Sequence, residues 1–255
     1  MKYEEMNDID FSKWKEYDNI TEKGLWVSKS ISFDKFFIPS RKEFNDFPSK
    51  QLSSQWHGIF IPEIPYQMIL RYTKKGETVW DPFAGTGTTI DVAKLLERNC
   101  IANDIHPLRD DIQKGDSRTF NPGKKVQLII AHPPYANIVK YSDESSDLSI
   151  LSWKDFLKEW DQVVDNIIDF LENERFFILV CGDLYNKGEY IPLGYRAAEI
   201  IANKNFKYKG HIIKDFGETK GGWKQRASLE RYRALKGGYW KFAGDNIFIL
   251  QKRAK

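Results

Sequence analysis

The sequence predicts an open, mostly parallel α/β sheet, and three observations predict it. Apolar runs at Thr78–Trp80, Val126–Ile130 and Phe176–Cys181 alternate with helical patterns. Continuous runs of this kind are expected of strands buried on both faces. The first run passes into Asp81-Pro82-Phe83-Ala84-Gly85-Thr86-Gly87, and Thr88-Thr89 then open a helix through Leu95 and Leu96. A strand, a glycine turn and a helix make a ligand-binding corner at the carboxyl end of a strand. Near the end of the chain, Tyr208–Lys214 and Asn246–Lys252 read as a closing antiparallel pair. The 255 residues suffice for one such domain with a sizeable core.

Taken in order, residues 1–55 are polar and aromatic-rich without a clear period. Trp14, Tyr17, Trp26, Phe33, Phe36 and Phe37 either cap the core or line a groove, and Pro39 to Pro48 reads as loop. A helix is expected from Glu63 to Tyr72, with Ile64, Met68, Ile69 and Tyr72 at helical spacing. Asn99–Asp104 reads as the second strand, and Gly115-Asp116 as a turn. Residues 136–150 are a polar loop. Ser152 then begins a helix with a capping-box-like partner in Asp155. Its apolar stripe is Trp153, Phe156, Leu157, Trp160, Val163, Val164, Ile167, Ile168 and Leu171. Another helix lies within 191–203. Between the closing strands comes a long excursion, residues 215–241, rich in Lys, Arg and Gly. Long loops in compact domains are usually functional or disordered.

Charge is unevenly spread. The whole chain carries only +3, but residues 204–255 hold 14 Lys or Arg against 4 Asp or Glu, a net of +10 that leaves −7 on the rest. A basic end on an acidic chain suits a polyanion-facing surface. Cys100 and Cys181 lie in apolar runs and read as buried thiols of a reducing compartment, which fits a cytoplasmic location. No apolar run approaches the roughly 18 residues of a membrane span. The first residues, Met1-Lys2-Tyr3-Glu4-Glu5, lack a signal-peptide core, so no membrane partner is expected.

The corner is neither a phosphate loop, since no Gly-Lys-Ser/Thr follows, nor a full dinucleotide fingerprint, since Ile90 stands where the third glycine belongs. Instead, residues 81–89, with His132-Pro133-Pro134-Tyr135 further on, resemble the exocyclic-amino DNA methyltransferases. These enzymes move a methyl group from S-adenosylmethionine to N6 of adenine or N4 of cytosine. The family pattern Asp-Pro-Phe-x-Gly-Ser/Thr-Gly-Thr-Thr is matched at every specified position, and the resemblance runs from about His57 to the C-terminus. It implies a Rossmann-like methyltransferase fold in a single domain, 1–255, with 1–55 as a cap or substrate-facing segment and 56–255 as catalytic core. It also implies that S-adenosylmethionine is held by His57, Phe60, Asp81, Phe83, Ala84, Gly85, Gly87, Thr88, Thr89, Asp104, Ile105 and Asp116. Asp104, 17 residues after Gly87, is placed to accept both hydrogen bonds of a ribose diol. Ile105 would pack on the adenine and Asp116 accept from its amino group. A side chain at Gly85 or Gly87 is expected to block the cofactor. The cofactor motif precedes the catalytic one, so a circularly permuted arrangement relative to many members is expected.

An exocyclic amino group is a poor nucleophile because its lone pair is conjugated into the ring. Acceptors on its hydrogens localise that pair and aim it at a sulfonium methyl. His132, Pro133, Pro134 and Tyr135 are the candidate catalytic residues: a polar side chain, the Pro133 carbonyl, prolines that remove competing donors, and a ring on which an extruded base can stack. Neither metal nor covalent nucleophile is needed. The family usually has Asp, Asn or Ser where this chain has His132. Neutral imidazole accepts one hydrogen bond and imidazolium none, so activity is expected to fall as pH drops through the histidine range near about 6.5.

The partner expected is DNA, with the base extruded. A cognate restriction endonuclease or specificity subunit and a homodimer are further partners in a restriction–modification setting. The alternatives are an RNA base amino-methyltransferase and a non-catalytic nucleic-acid-binding subunit. No large insertion remains for target recognition, so it must come from residues 1–55, from 136–150, from the basic excursion or from a partner. Lys214, Lys220, Trp223, Lys224, Arg226, Arg231 and Arg233 are the candidate nucleic-acid contacts. Neutralising Lys220, Lys224 and Arg226 together is expected to weaken DNA binding. The slope of log affinity against log salt should fall by up to about 0.9 per lost phosphate contact. A titration across salt concentrations checks this, and wild-type affinity and slope would move the grip elsewhere.

Overall fold

The computed structural model describes residues 1–17, 20, 25–26, 46–52, 61–215, 235–238, 240 and 244–254. Among the described residues, the α-helices are α1 (Pro48–Leu52), α2 (Glu63–Tyr72), α3 (Thr88–Leu95), α4 (Trp153–Phe170) and α5 (Leu193–Ala202). The strands of the described residues are β1 (Leu25–Trp26), β2 (Thr78–Asp81), β3 (Asn99–Asp104), β4 (Gln113–Lys114), β5 (Val126–Ala131), β6 (Leu171–Cys181), β7 (Leu184–Asn186), β8 (Glu189–Ile191), β9 (Phe206–Asp215) and β10 (Gly244–Lys252). Eight form one sheet in the order β1-β9-β10-β6-β5-β2-β3-β4. Strands β4, β3, β2, β5 and β6 pair in parallel. β10 is antiparallel to both β6 and β9, which is the closing pair expected. This is the α/β fold with a mostly parallel sheet that the apolar runs predicted.

Side-chain alternation explains the layers, because successive residues of a strand face opposite sides. Trp80, Ile129, Phe177, Leu179 and Phe248 face one side, where Phe156, Trp160, Val163, Val164 and Ile167 of α4 and Ala197, Ala198 and Ile201 of α5 cover them. Val79, Leu128, Ile130, Phe176, Ile178, Val180, Ile247 and Ile249 face the other side. There they meet Ile64, Met68 and Ile69 of α2, Val92 and Ala93 of α3, and Met6 of the N-terminal segment. Both faces are thus dry, as the unbroken apolar runs required. Arg98 is 7% exposed and fastens residues 1–9 to this layer, donating to Asp8 at 2.8 Å and to the Thr73 carbonyl at 2.8 Å.

Three local readings change. Leu171 belongs to β6, paired with Val126, rather than to the helical stripe; α4 ends at Phe170 and the chain enters the strand directly. The strand therefore begins before Phe176, and Glu174 at φ 64 marks an irregularity ahead of the regular pairing. β7 and β8 form a hairpin that the apolar pattern did not announce. Its turn residues Lys187 (φ 51) and Gly188 (φ 85) both sit in left-handed conformation, as a type I′ turn demands. At the start of α4, Ser152 Oγ accepts from Asp155 N at 3.2 Å and donates to the Asp155 carboxylate at 2.6 Å. This is a cap, although the reciprocal bond of a capping box is replaced by a hydroxyl–carboxylate contact. Trp26, whose backbone pairs with Lys214 through β1, is placed at the sheet edge. Phe33, Phe36 and Phe37 lie outside the described residues. No helix of the described residues is long and apolar enough to cross a membrane.

The parallel strands end together at one edge, and a single buried amide ties their ends. Asn103, fully buried, accepts from Trp80 Nε1 at 2.8 Å. It donates to Ser117 Oγ at 2.9 Å and to the Gly115 carbonyl at 3.2 Å. Ser117 in turn donates to the Pro82 carbonyl. Replacing Asn103→Ala strands the indole N–H and the turn groups without partners. Stability is expected to drop by about 2–4 kcal/mol, read as a lower urea midpoint at unchanged slope.

Candidate active site

The residues after β2, β3 and β5 line one cavity of about 350 Å³, within the range of small-molecule sites. Pro82, Phe83, Ala84, Gly85, Thr86 and Thr88 supply one wall, and Asp104, Ile105, His106, Asp116 and Ser117 the next. His132, Pro133, Pro134 and Tyr135, after β5, supply a third. Ile138, Val139, Tyr141, Ser146, Asp147 and Leu148, from the polar 136–150 loop, close it. Lys214 and Asp245 reach in from β9 and β10.

The corner is held by carboxylates. Asp104 Oδ2 accepts from Gly85 N at 2.9 Å, and its Oδ1 accepts from His106 N at 2.9 Å. One side chain therefore fixes both the turn after β2 and the turn after β3. Burial pushes the Asp104 carboxyl above its usual range, against the pull of those two N–H donors. Gly85 sits at φ 49, a left-handed conformation that keeps its backbone open to the cavity. Asp81 lies beneath the corner, fully buried, accepting from Thr89 Oγ1 at 2.5 Å and Phe83 N at 3.0 Å. Burial raises its carboxyl to about 7 despite these donors.

Asp81, Gly87 and Thr89, expected to hold the cofactor, are not among the residues that line the cavity; they brace the corner. Gly87 caps α3 at φ 83. A Cβ there would stand 2.7 Å from Arg109 Nη1, which bonds Asp91 at 2.9 Å. A side chain at 87 disturbs that ion pair and the helix start before it reaches the cavity. Asp116 lines the cavity, but both its oxygens receive Arg118, whose Nη2 lies 2.6 Å away. Arg118 also reaches Glu159 of α4. His57 and Phe60 lie outside the described residues, as do Lys220, Trp223, Lys224, Arg226, Arg231 and Arg233. Lys214, the one described residue of that candidate nucleic-acid set, lines the cavity. Its Nζ points to Asp245 Oδ2 at 3.4 Å, beside the cavity.

After β5, His132 Nε2 is 2.8 Å from Tyr135 Oη, which donates to Asp245 Oδ1 at 3.1 Å. Burial lowers His132 from 6.5 to about 4, outweighing Asp245, which favours the cation; Lys214 adds to the lowering. The imidazole thus stays neutral at physiological pH, and the expected loss of activity near 6.5 moves to far lower pH. Burial and Asp245 push the Tyr135 hydroxyl up, so it remains a donor. Sequence reasoning missed Asn103, Ser117, Gly182 and Asp245. Asp245 follows Gly244 in an ordinary-looking strand, and only the pairing of Asp245 with Lys214 across β10 and β9 brings it here.

Comparison with known proteins bears on the corner. Residues 2–113 match the DNA methylase family of N6/N4 methyltransferases. The match covers Gly85 and Asp104 and ends before His132. Type II methyltransferase M.MjaI of Methanocaldococcus jannaschii is 48% identical over 46 residues, 18% of this chain and 15% of that protein. The structure of TrmN from Thermus thermophilus aligns at TM-score 0.49 and 16% identity, over 82% of this chain and 52% of that one. The plantazolicin methyltransferase BpumL, solved with S-adenosylhomocysteine, aligns at TM-score 0.41 and 14% identity, over 84% and 93%. The chain thus spans about half of the TrmN structure and a small part of M.MjaI. S-adenosylmethionine is the cofactor of this methylase family, and the corner fits it. An acidic acceptor, an open glycine backbone and the apolar Phe83, Ile105 and Leu148 converge on one cavity. Asp104→Ala is expected to weaken S-adenosylmethionine binding by about 1–3 kcal/mol through loss of charge-assisted bonds and of the Gly85 anchor. Calorimetry on the folded variant decides it, and unchanged affinity would remove Asp104 from the cofactor site.

Proposed function

We propose that this chain methylates the exocyclic amino group of adenine (N6) or cytosine (N4) in DNA, with S-adenosylmethionine as donor. One observation carries the reading: Gly85 and Asp104 line the same cavity as His132-Pro133-Pro134-Tyr135. When bound, the cofactor supplies an electrophilic methyl group on a sulfonium. The chain's residues do the rest. His132 and the Pro133 carbonyl accept from the two amino hydrogens and localise the nitrogen lone pair. The Tyr135 ring offers a face for the extruded base. As the nitrogen–methyl bond forms and the sulfur–methyl bond breaks, the nitrogen gains positive charge and must shed a proton. That ammonium is far more acidic than imidazolium, so neutral His132 suffices to take it.

The DNA methylase match favours DNA over RNA as substrate, and the likeness to a type II methyltransferase favours a modification role alongside an endonuclease or specificity partner. A homodimer and the basic excursion are the further means proposed for gripping the duplex. Incubation with methyl-labelled S-adenosylmethionine and either DNA or RNA, followed by nucleoside mass spectrometry, tests the reading. Labelled N6-methyldeoxyadenosine or N4-methyldeoxycytidine is expected. Label in RNA nucleosides alone would move the substrate to RNA, and cofactor binding without transfer to either would leave a binding subunit. The single-turnover rate is expected to stay flat between about pH 5.5 and 8, because His132 is neutral throughout. A fall centred near about 6.5 would mean that the imidazole is far more solvated than its packing indicates.

A further inference from the structure

A histidine in place of the usual Asp, Asn or Ser raises a problem that those residues avoid. A carboxylate, amide or hydroxyl oxygen accepts a hydrogen bond whatever its surroundings. A neutral imidazole has one donor nitrogen and one acceptor nitrogen, and the wrong tautomer turns the acceptor into a donor. His132 can work only if something sets its tautomer.

The residues around it do so in one direction. Asp245 Oδ1 lies 3.1 Å from Tyr135 Oη, and Lys214 Nζ lies 3.4 Å from Asp245 Oδ2. A carboxylate paired with an ammonium only accepts, so the single Tyr135 proton points at Asp245. The Tyr135 oxygen then offers only lone pairs to His132 Nε2, 2.8 Å away, and Nε2 must carry the hydrogen. The reverse polarity would leave the Asp245 and Tyr135 oxygens facing each other at 3.1 Å with no proton between them. Backbone packing fixes the trio. Gly182 follows β6, and a Cβ there would stand 2.6 Å from the Tyr135 ring and 3.3 Å from Asp245 Oδ1. The missing side chain is what lets ring and carboxylate meet.

We infer that Asp245 is a positioning residue of the proposed methyl-transfer site, holding His132 through the Tyr135 hydroxyl as the Nε2–H tautomer, so that Nδ1 bears the acceptor lone pair. The inference rests on that site reading, and it gives the Tyr135 hydroxyl a role that base stacking alone would not require. The groups facing His132 in this relay are Tyr135, Asp245 and Lys214.

Long-range nitrogen–proton NMR of histidine-labelled protein tests it. The chain has four histidines, and His132→Gln identifies the His132 signals by their loss. The wild type is expected to show His132 with Nε2 protonated and Nδ1 bare. Tyr135→Phe and Asp245→Ala are expected to mix or invert the tautomers. Asp245→Asn, whose amide turns its oxygen to Lys214 and its N–H to Tyr135, is expected to shift His132 toward the Nδ1–H tautomer. In single-turnover methylation, Tyr135→Phe is expected to slow transfer at least tenfold at unchanged cofactor affinity, although the stacking ring remains. An Nδ1–H tautomer in the wild type, or the same tautomer in both Tyr135→Phe and Asp245→Ala, would overturn the inference. The NMR arm needs no turnover. If wild type gives the expected tautomer yet methylates neither DNA nor RNA, the proposed function fails and the tautomer assignment stands.

Discussion

The architecture depends on a buried amide at the edge where the parallel strands end. Asn103 has no access to solvent, and it joins two other segments: β2 with its exit, through the Trp80 indole and the Pro82 carbonyl, and the turn after β4, through the Gly115 carbonyl and Ser117. Buried polar networks of this kind specify one arrangement, because any other leaves donors without acceptors in a medium that cannot solvate them. Its neighbour Asp104 repeats the device one residue later, this time facing the cavity and clasping Gly85 and His106. The strand's alternation therefore delivers two consecutive side chains to two tasks. The first holds the strand ends together, and the second presents an acidic acceptor to a ligand.

Much of the fold was legible because a sheet buried on both faces leaves a plain record. Thr78–Trp80, Val126–Ile130 and Phe176–Cys181 could not be anything that meets water, and α4 carried its stripe openly. The departures occurred where the deciding force was not periodic. Leu171 fits a helical stripe and a strand start equally well by hydrophobicity, and pairing with Val126 settles it. The β7–β8 hairpin turns on two positive φ angles at Lys187 and Gly188, and the flanking residues are too few to set up an alternation.

The candidate site divides along the same line. Its contiguous pieces, residues 81–89 and 132–135, stand out as strings, as does Asp104 by its spacing from the glycines. Its supporting pieces come from far along the chain, and nothing in their local sequence marks them. Asp245 is 110 residues from Tyr135, and Lys214 is 31 from Asp245. Only the antiparallel register of β10 against β9 and β6 brings them to His132. Gly87 shows the converse: a residue conspicuous in the motif whose work in the structure is to start a helix beside Arg109.

Gly182 carries a consequence for how such a site can change over time. The absent methyl group at 182 is matched to the ring at 135, and the ring's hydroxyl is matched to both 132 and 245. These four positions are joined by packing and hydrogen bonds. A lineage that exchanged His132 for an oxygen acceptor would release the tautomer requirement, and with it the need for the tyrosine hydroxyl and for Asp245. Until that exchange, a side chain gained at 182 closes the space that Tyr135 and Asp245 share. The histidine is thus one corner of a contacting set, and exchanging it alone leaves the other three arranged for a partner that is gone.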